Sequence, residues 1–454
     1  MDLASRSVAQ SEGDTNLTDL RAAWQARSLD PATRALLDRD ARAFLHQSVS
    51  TPCLNAVAKA EGIWIEDTAG RRYMDFHGNN VHHVGYGHPR LKAAIAAQMD
   101  ALPFAPRRYA CEPAVELAEK LAAIAPGDLG KVLFTTGGSD AVEVAVKIAR
   151  AATGRFKTLS FWDAFHGAGT GAAALSGEML FRSGPAAPLV AGALHVAPFG
   201  GYRCAYGHDT AEASADACAR MIDYVLSRDP DVAALVAEPT RAVPYVAPLG
   251  FWARVRDICD RHGALLIFDE IPTGLGKTGK MFACQHDGVI PDILVLGKAL
   301  GGGILPIATV IARPDLDVAG AWAFGHYTHE KNPVTTRAAL TTIQIIEDEG
   351  LVDNGARVGA AALARMHDMK ERLPAVGDVR GRGLVLGIEL VRDRETKEPD
   401  DGLAEAVLYR ALDRGLSFKT TMGNVLTLTP PLTVTDAEMM RALDIVEEAV
   451  TAGL

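Results

Sequence analysis

Two residues in the segment 264–304 have the types and placement to do covalent chemistry together. Asp269 closes the apolar run Ala264-Leu265-Leu266-Ile267-Phe268, and Lys298 follows the run Ile293-Leu294-Val295-Leu296 with Gly297 between. Short continuous apolar runs predict buried strands of a parallel sheet. In open α/β sheets, ligands sit beyond the carboxyl ends of the strands. The acid and the lysine therefore fall where a site is expected. A lysine that is neutral part of the time is a Schiff-base nucleophile, and partial burial favours that state. A carboxylate facing it suits the ring nitrogen of pyridoxal phosphate, which needs a proton to act as an electron sink.

Other chemistry-bearing residues fall into the same scheme. A third apolar run, Ala233 to Ala237, ends at Glu238-Pro239, so Glu238, Asp269 and Lys298 occupy three successive strand ends. Val132-Leu133-Phe134 reads as a strand, followed by the turn Thr135-Thr136-Gly137-Gly138-Ser139-Asp140. Beyond it Val142, Ala145, Val146 and Ala149 form a helical stripe. Strand, glycine-rich turn and helix N-terminus make an anion site, because free backbone N–H groups point outward. Arg107 and Arg108, in a loop with Pro106, are either a solvated pair or a clamp for a phosphate-like or carboxylate anion. Taken singly, a strand-end Asp also reads as a helix cap, and a Lys beside Gly as a solvated charge.

Two tempting motifs fail. Gly276-Lys277-Thr278 hints at a nucleotide phosphate loop, but the first glycine of G-x-x-x-x-G-K-[ST] falls on Ile271. His77, His82, His83 and His88 lie close together, yet their spacing fits no common ligand motif, and no metal is expected.

The elements that must position these residues fit a chain of 454 residues, enough for two or three domains. Gly62 to Asp75 alternates around Thr68-Ala69-Gly70, a hairpin signal. Helical stretches such as Phe251 to His262 supply the crossovers of a doubly wound sheet. Residues up to about Ser50 read as a polar arm and one helix around Leu20 to Leu45. The net charge of -10 argues against a nucleic-acid partner. No apolar run approaches the roughly 18 residues of a membrane span, and the N-terminal segment lacks a signal-peptide core. The six cysteines are scattered without a CxxC pair, as expected of thiols in a reducing, cytoplasmic setting.

The chain resembles the class III aminotransferases, a branch of the fold type I pyridoxal-phosphate enzymes. The resemblance rests on Asp269-Glu270, Gly274-Leu275-Gly276-Lys277-Thr278-Gly279, Pro291-Asp292 and Gly297-Lys298, and runs from about Thr51 to the end. It implies the fold type I transferase fold, α/β, with a large doubly wound, mostly parallel-sheet domain and a smaller α+β domain. The implied division is an arm and helix over 1–50, small-domain segments over 51–88 and 335–454, and the large cofactor-binding domain over 89–334. The implied cofactor is pyridoxal 5'-phosphate, carried by Lys298 with Asp269 at its ring nitrogen. Gly138 and Ser139 match the residues that hold its phosphate. Phe165 matches the aromatic stacked on its ring, His166 follows, and Glu238 matches the family's strand end. A homodimer is implied, with Thr328 reaching across to the phosphate in the partner subunit.

The sequence also departs from the family. Pro272 stands where the family has a Gln that bonds the cofactor's ring oxygen, and proline offers no donor. Thr240-Arg241-Ala242-Val243 replaces a glycine-rich turn after Glu238-Pro239, and His329-Glu330-Lys331 follows Thr328. Thr427 stands where many members carry an Arg that grips a substrate carboxylate; Arg107, Arg108 or Arg241 could replace it. The segments Asp75-Phe76-His77-Gly78-Asn79-Asn80, Pro106-Arg107-Arg108-Tyr109, Asp269-Glu270-Ile271-Pro272 and Thr328-His329-Glu330-Lys331 resemble a narrower subgroup. That subgroup is the ammonia-lyases acting on 1-hydroxy-2-aminoethylphosphonate in bacterial phosphonate breakdown. It implies elimination to phosphonoacetaldehyde and ammonia, with Lys298 as base and acid and His329 a second candidate acid. The alternative is an aminotransferase moving an amino group from an amine or ω-amino acid to an oxo acid.

Overall fold

The apolar runs read from the sequence come together in one seven-stranded sheet. A computed structural model describes Gly13 and residues 17–453; the rest of the expected N-terminal arm lies outside the described residues. The strands are β1 (Lys131–Thr135), β2 (Lys157–Phe161), β3 (Ala193–Val196), β4 (Val232–Ala237), β5 (Leu265–Asp269), β6 (Ile293–Leu296) and β7 (Ala308–Ala312). Their order in space is β1-β7-β6-β5-β4-β2-β3. Neighbours from β6 through β3 are parallel, while β7 runs antiparallel to both β6 and β1. Every residue of β4, β6 and β7 is buried. Strands covered on both faces have no solvent side to place polar residues on, hence the unbroken apolar runs.

Register sets up the site. Phe268 of β5 pairs with Leu294 of β6 and with Ala237 of β4. The chain thus leaves three neighbouring strands at adjacent points, at Glu238, just after Asp269, and at Gly297-Lys298. Helix α1 (Gly138–Thr153) packs against β4, β6 and β7. Val142, Ala145, Val146 and Ala149 are buried as the stripe requires, joined by Ala141, Val144 and Ile148. Burying a side chain such as Val144 or Ile148 contributes about 1.5–3 kcal/mol. Gly154, at φ 68, ends α1 in the left-handed conformation that glycine adopts without strain.

The described residues form two units. One holds Asn79–Val84 and His88–Asp353, including the large sheet; the other holds the residues up to Gly78, Gly85–Gly87 and those from Asn354 onward. In the latter, Trp64–Asp67 and Arg72–Asp75 form the expected antiparallel hairpin. Asp67 Oδ1 braces its turn by accepting from the N–H groups of Ala69 and Arg71, both at 2.9 Å. A second antiparallel sheet contains Val376–Arg382, Val385–Asp393, Val425–Leu428 and Lys419–Thr421.

Two helical stretches are broken where one was expected. The pattern from Leu20 to Leu45 is two helices, Asp19–Ser28 and Pro31–Ala43. Asp30 caps the second by accepting from Thr33 N–H at 2.7 Å, and Pro31 takes the first helical position, where its missing N–H is not needed. The stretch from Thr335 begins earlier, as Pro333–Asp348 capped by Asn332, and resumes as Leu351–Arg372 after Gly350 at φ 62.

Candidate active site

Asp269 is 2% exposed at the end of β5. Its Oδ1 accepts from the N–H of Ile271 at 3.1 Å, and its Oδ2 lies 2.8 Å from Nδ1 of the equally buried His166. A carboxylate only accepts, so Nδ1 carries the proton and the ring is held in one orientation. His166 arrives on the loop after β2, which also bears the half-buried Phe165. The Phe165 ring rests on Phe181, with centroids 4.6 Å apart. The same loop reaches the helix N-terminus, where the N–H of Ala168 donates to Ser139 Oγ at 3.1 Å.

The helix begins at Gly138, so Gly138 and Ser139 are its first helical residues rather than part of the preceding turn. Its N-cap, Gly137, brings no side chain to the first-turn N–H groups. The approach is kept narrow. A Cβ on Gly138 would meet Ile271 Cδ1 at 2.8 Å, and one on Gly167, at φ 130, would meet Ser139 Oγ at 2.5 Å. Open N–H groups, a hydroxyl and a glycine at 167 that no other residue can replace without strain make a cradle for a phosphate-sized anion.

Lys298 opens the short 3₁₀ turn after β6 at φ 43, a left-handed conformation that a lysine adopts only under constraint. The side chain is part-buried. Nearby stands His83, fully enclosed, with Nε2 3.2 Å from the carbonyl oxygen of Gly274. Burial holds its imidazole well below the ordinary range, and the charges of Lys277 and Lys298 push the same way. Lys277 is 0% exposed, so the basic residue of the glycine-rich turn is interior. Glu238, 4% exposed beyond β4, accepts from the N–H of Ala242 at 3.1 Å.

Glu270 is also buried, 1% exposed, and accepts from the N–H groups of Ala283 at 2.6 Å and Cys284 at 2.8 Å. Burial pushes its carboxyl up to about 7 against the pull of those two donors. The sequence names Glu270 beside Asp269 and offers His83 only as a metal ligand, and it gives no sign that Lys277 is interior. An acid or lysine beside a glycine-rich turn carries no local mark of whether the turn is covered.

The remaining candidates lie on loops. Arg107 is half-exposed and contacts His326, while Arg108, Thr328 and His329 are exposed. His329 meets the edge of Phe104, centroids 5.3 Å apart, and Asn332 at 3.3 Å. No hydrogen bond or ion pair joins these four to Asp269 or Lys298 among the described residues. No group of three or more His, Cys, Asp or Glu among those residues could hold a metal ion, and all six cysteines are free. No helix among them is long and apolar enough to cross a membrane.

The donor set is thus an anion cradle, a buried carboxylate locked by an imidazole, and a constrained lysine at one end of a parallel sheet. The family model for aminotransferase class III matches residues 46–450. The chain belongs to the class III aminotransferases. An (R)-1-hydroxy-2-aminoethylphosphonate ammonia-lyase of Vibrio splendidus is 44% identical over 97% of this chain and 95% of its own. A leucine/methionine racemase of Thermococcus litoralis is 36% identical over 91% of this chain and 95% of its own. The crystal structure of an amine transaminase from an uncultivated Pseudomonas species, in its PLP-bound form, matches with a TM-score of 0.86. It is 32% identical and covers 90% of this chain and 98% of that one. This class III enzyme therefore takes pyridoxal 5'-phosphate, as expected, and the cradle, Asp269 and Lys298 suit its phosphate, ring nitrogen and aldehyde.

Proposed function

We propose that this class III enzyme is an ammonia-lyase, converting 1-hydroxy-2-aminoethylphosphonate to phosphonoacetaldehyde and ammonia in the cytoplasm as a homodimer. The observation that carries the reading is the 44% identity, along nearly the whole chain, to the Vibrio enzyme named for that substrate. Thr427 agrees with it. The residue is fully buried and its hydroxyl shares a 2.8 Å bond with that of Thr421. Its side chain is a neutral hydroxyl at the position where many family members carry a carboxylate-gripping Arg.

Pyridoxal phosphate, when bound, supplies an electron sink for negative charge at the amine-bearing carbon. Gly138 and Ser139 would hold its phosphate, Phe165 would lie against its ring, and Glu238 stands at the neighbouring strand end. Asp269 keeps a proton on the ring nitrogen, and His166 keeps Asp269 aimed there. Lys298 Nζ, free once the substrate amine is in place, would take a proton from the amine-bearing carbon. As an ammonium it then gives a proton to the hydroxyl on the neighbouring carbon, because hydroxide leaves poorly unless protonated. His329 is a second candidate for that donation. Water departs, and water returns to the carbon from which ammonia is released, so the net change is the loss of ammonia alone. Arg107 and Arg108 offer positive charge to a doubly charged head group at the entrance.

The deciding experiment is a nitrogen balance on 1-hydroxy-2-aminoethylphosphonate, with and without pyruvate or 2-oxoglutarate. The lyase releases one ammonia per aldehyde and needs no acceptor. Product that forms only with an oxo acid, as a matching amino acid accumulates, makes the protein an aminotransferase.

A further inference from the structure

Arg241 is a buried cation without an anion. It is 4% exposed, on the two-residue strand Thr240–Arg241 that pairs with Tyr245–Val246 just beyond the C-terminal end of β4. Its Nη2 donates to the carbonyl oxygen of Asp163, and its guanidinium lies over the Tyr245 ring, 5.2 Å from the centroid. Its Nε is buried and has no acceptor. No carboxylate among the described residues forms an ion pair with it.

Two buried carboxylates of the fold, by contrast, are matched by arginines within the chain. Asp292 is met by Arg256 at 2.8 Å and Arg313 at 2.7 Å, and Glu389 by Arg380 at 2.7 Å. A buried charge left without its counter-charge is strongly destabilising, so an orphan is kept only where something offsets it. A carbonyl and an aromatic face compensate in part. The open Nε–H points to a partner that comes from outside the chain.

Location narrows the partner. Arg241 stands at the ligand end of the sheet, three residues from Glu238. Through Asp163, itself at φ 61, it is bonded to the loop that carries Phe165 and His166. The cofactor's phosphate has its own proposed seat at the start of α1. Of the three arginines singled out in the sequence, Arg107 and Arg108 face water, which screens their charge. Arg241 is the dry one, and guanidinium geometry matches the oxygens of a phosphonate or carboxylate.

We propose that Arg241 grips the anionic head group of the substrate through Nε–H. That the anion is a phosphonate rests on the lyase reading; that there is an anion does not. The test measures calorimetric binding of methylphosphonate and of acetate to the holoenzyme, to Arg241→Gln and to Arg241→Lys. Cofactor absorbance and melting temperature are followed in parallel. Wild type is expected to bind methylphosphonate more tightly than acetate. Arg241→Gln should weaken methylphosphonate on the order of ten- to hundredfold with absorbance retained, the scale of one charged hydrogen bond. Arg241→Lys, which keeps the charge without the fork, should fall between. Methylphosphonate affinity in Arg241→Gln within about twofold of wild type overturns the proposal. If that variant does not fold or loses its cofactor, Arg241→Lys decides, and unchanged affinity there overturns it equally. Preference for acetate that disappears in Arg241→Gln keeps the clamp while removing the phosphonate reading, which the nitrogen balance tests separately.

Discussion

His166 Nδ1 stands 2.8 Å from Asp269 Oδ2, and both side chains are closed to solvent. The pair joins two sequence segments about a hundred residues apart, and its geometry fixes which way the carboxylate faces. If Asp269 holds the ring-nitrogen proton, Asp269→Asn should bind cofactor and lose at least about a hundredfold in kcat, in the range for one electrostatic stabiliser. His166→Gln removes only the orientation, so a smaller fall, about tenfold, is expected in kcat rather than KM. Steady-state kinetics at saturating cofactor distinguish the two. Asp269→Asn within about a factor of two of wild type would take Asp269 out of the mechanism.

Glu270, one residue on, makes a prediction about stability and pH. Its folded carboxyl titrates at about 7, raised by burial from an ordinary value of 4.5. Between those two values the folded state binds more proton than the unfolded chain, so this group's contribution to stability declines as pH rises and levels off above about 7. Glu270→Gln cannot titrate. The stability gap between wild type and variant should therefore shift toward the variant from pH 4.5 to 7, by a total on the order of 3 kcal/mol. Urea denaturation of both proteins across that window measures it, and parallel curves would show that Glu270 does not titrate there.

Lys298 carries the most direct test. Lys298→Ala should fold, because alanine tolerates φ 43 no worse than lysine does. It should lose the yellow absorbance of a cofactor joined to the protein, and nearly all turnover. Retained activity would move the nucleophile to another amine, and buried Lys277 is the neighbour to try next.

What the sequence revealed tracks the range of the interaction. The strand ends at Glu238, Asp269 and Lys298 were legible because a two-sided buried strand writes itself as an unbroken apolar run. The α1 stripe was legible for the same kind of reason, since 3.6-residue periodicity is local. Pro31 should have split the first helical stretch, yet the apolar pattern continues across it and hides the break. Lys277 and Arg241 were read as turn residues, and both are interior. Nothing in a neighbouring sequence window encodes what packs over a turn, and the burial of a charge is decided by distant segments. Phe165 and Thr328 were reached only through the family resemblance; no pattern marks an aromatic or a threonine as a ligand contact.

Thr328 leads to a prediction about assembly. It is exposed, on the loop that Asn332 ends by capping Pro333–Asp348 with bonds to the N–H groups of Val334 at 2.8 Å and Thr335 at 3.1 Å. A hydroxyl held out from a loop anchored at its far end can serve a site on another chain. If it serves the partner subunit's cofactor phosphate, each site in the homodimer needs Lys298 from one protomer and Thr328 from the other. Lys298→Ala and Thr328→Ala protomers then complement. In a heterodimer one site carries both changes and the other carries neither. Equal mixing with free subunit exchange makes half the dimers mixed, so about a quarter of all sites should be wild type. Activity at limiting cofactor should rise above the mean of the two parents toward that fraction. Native mass spectrometry verifies that exchange took place. With exchange verified and no rise, Thr328 serves its own chain's site or none, and the shared-site dimer is wrong.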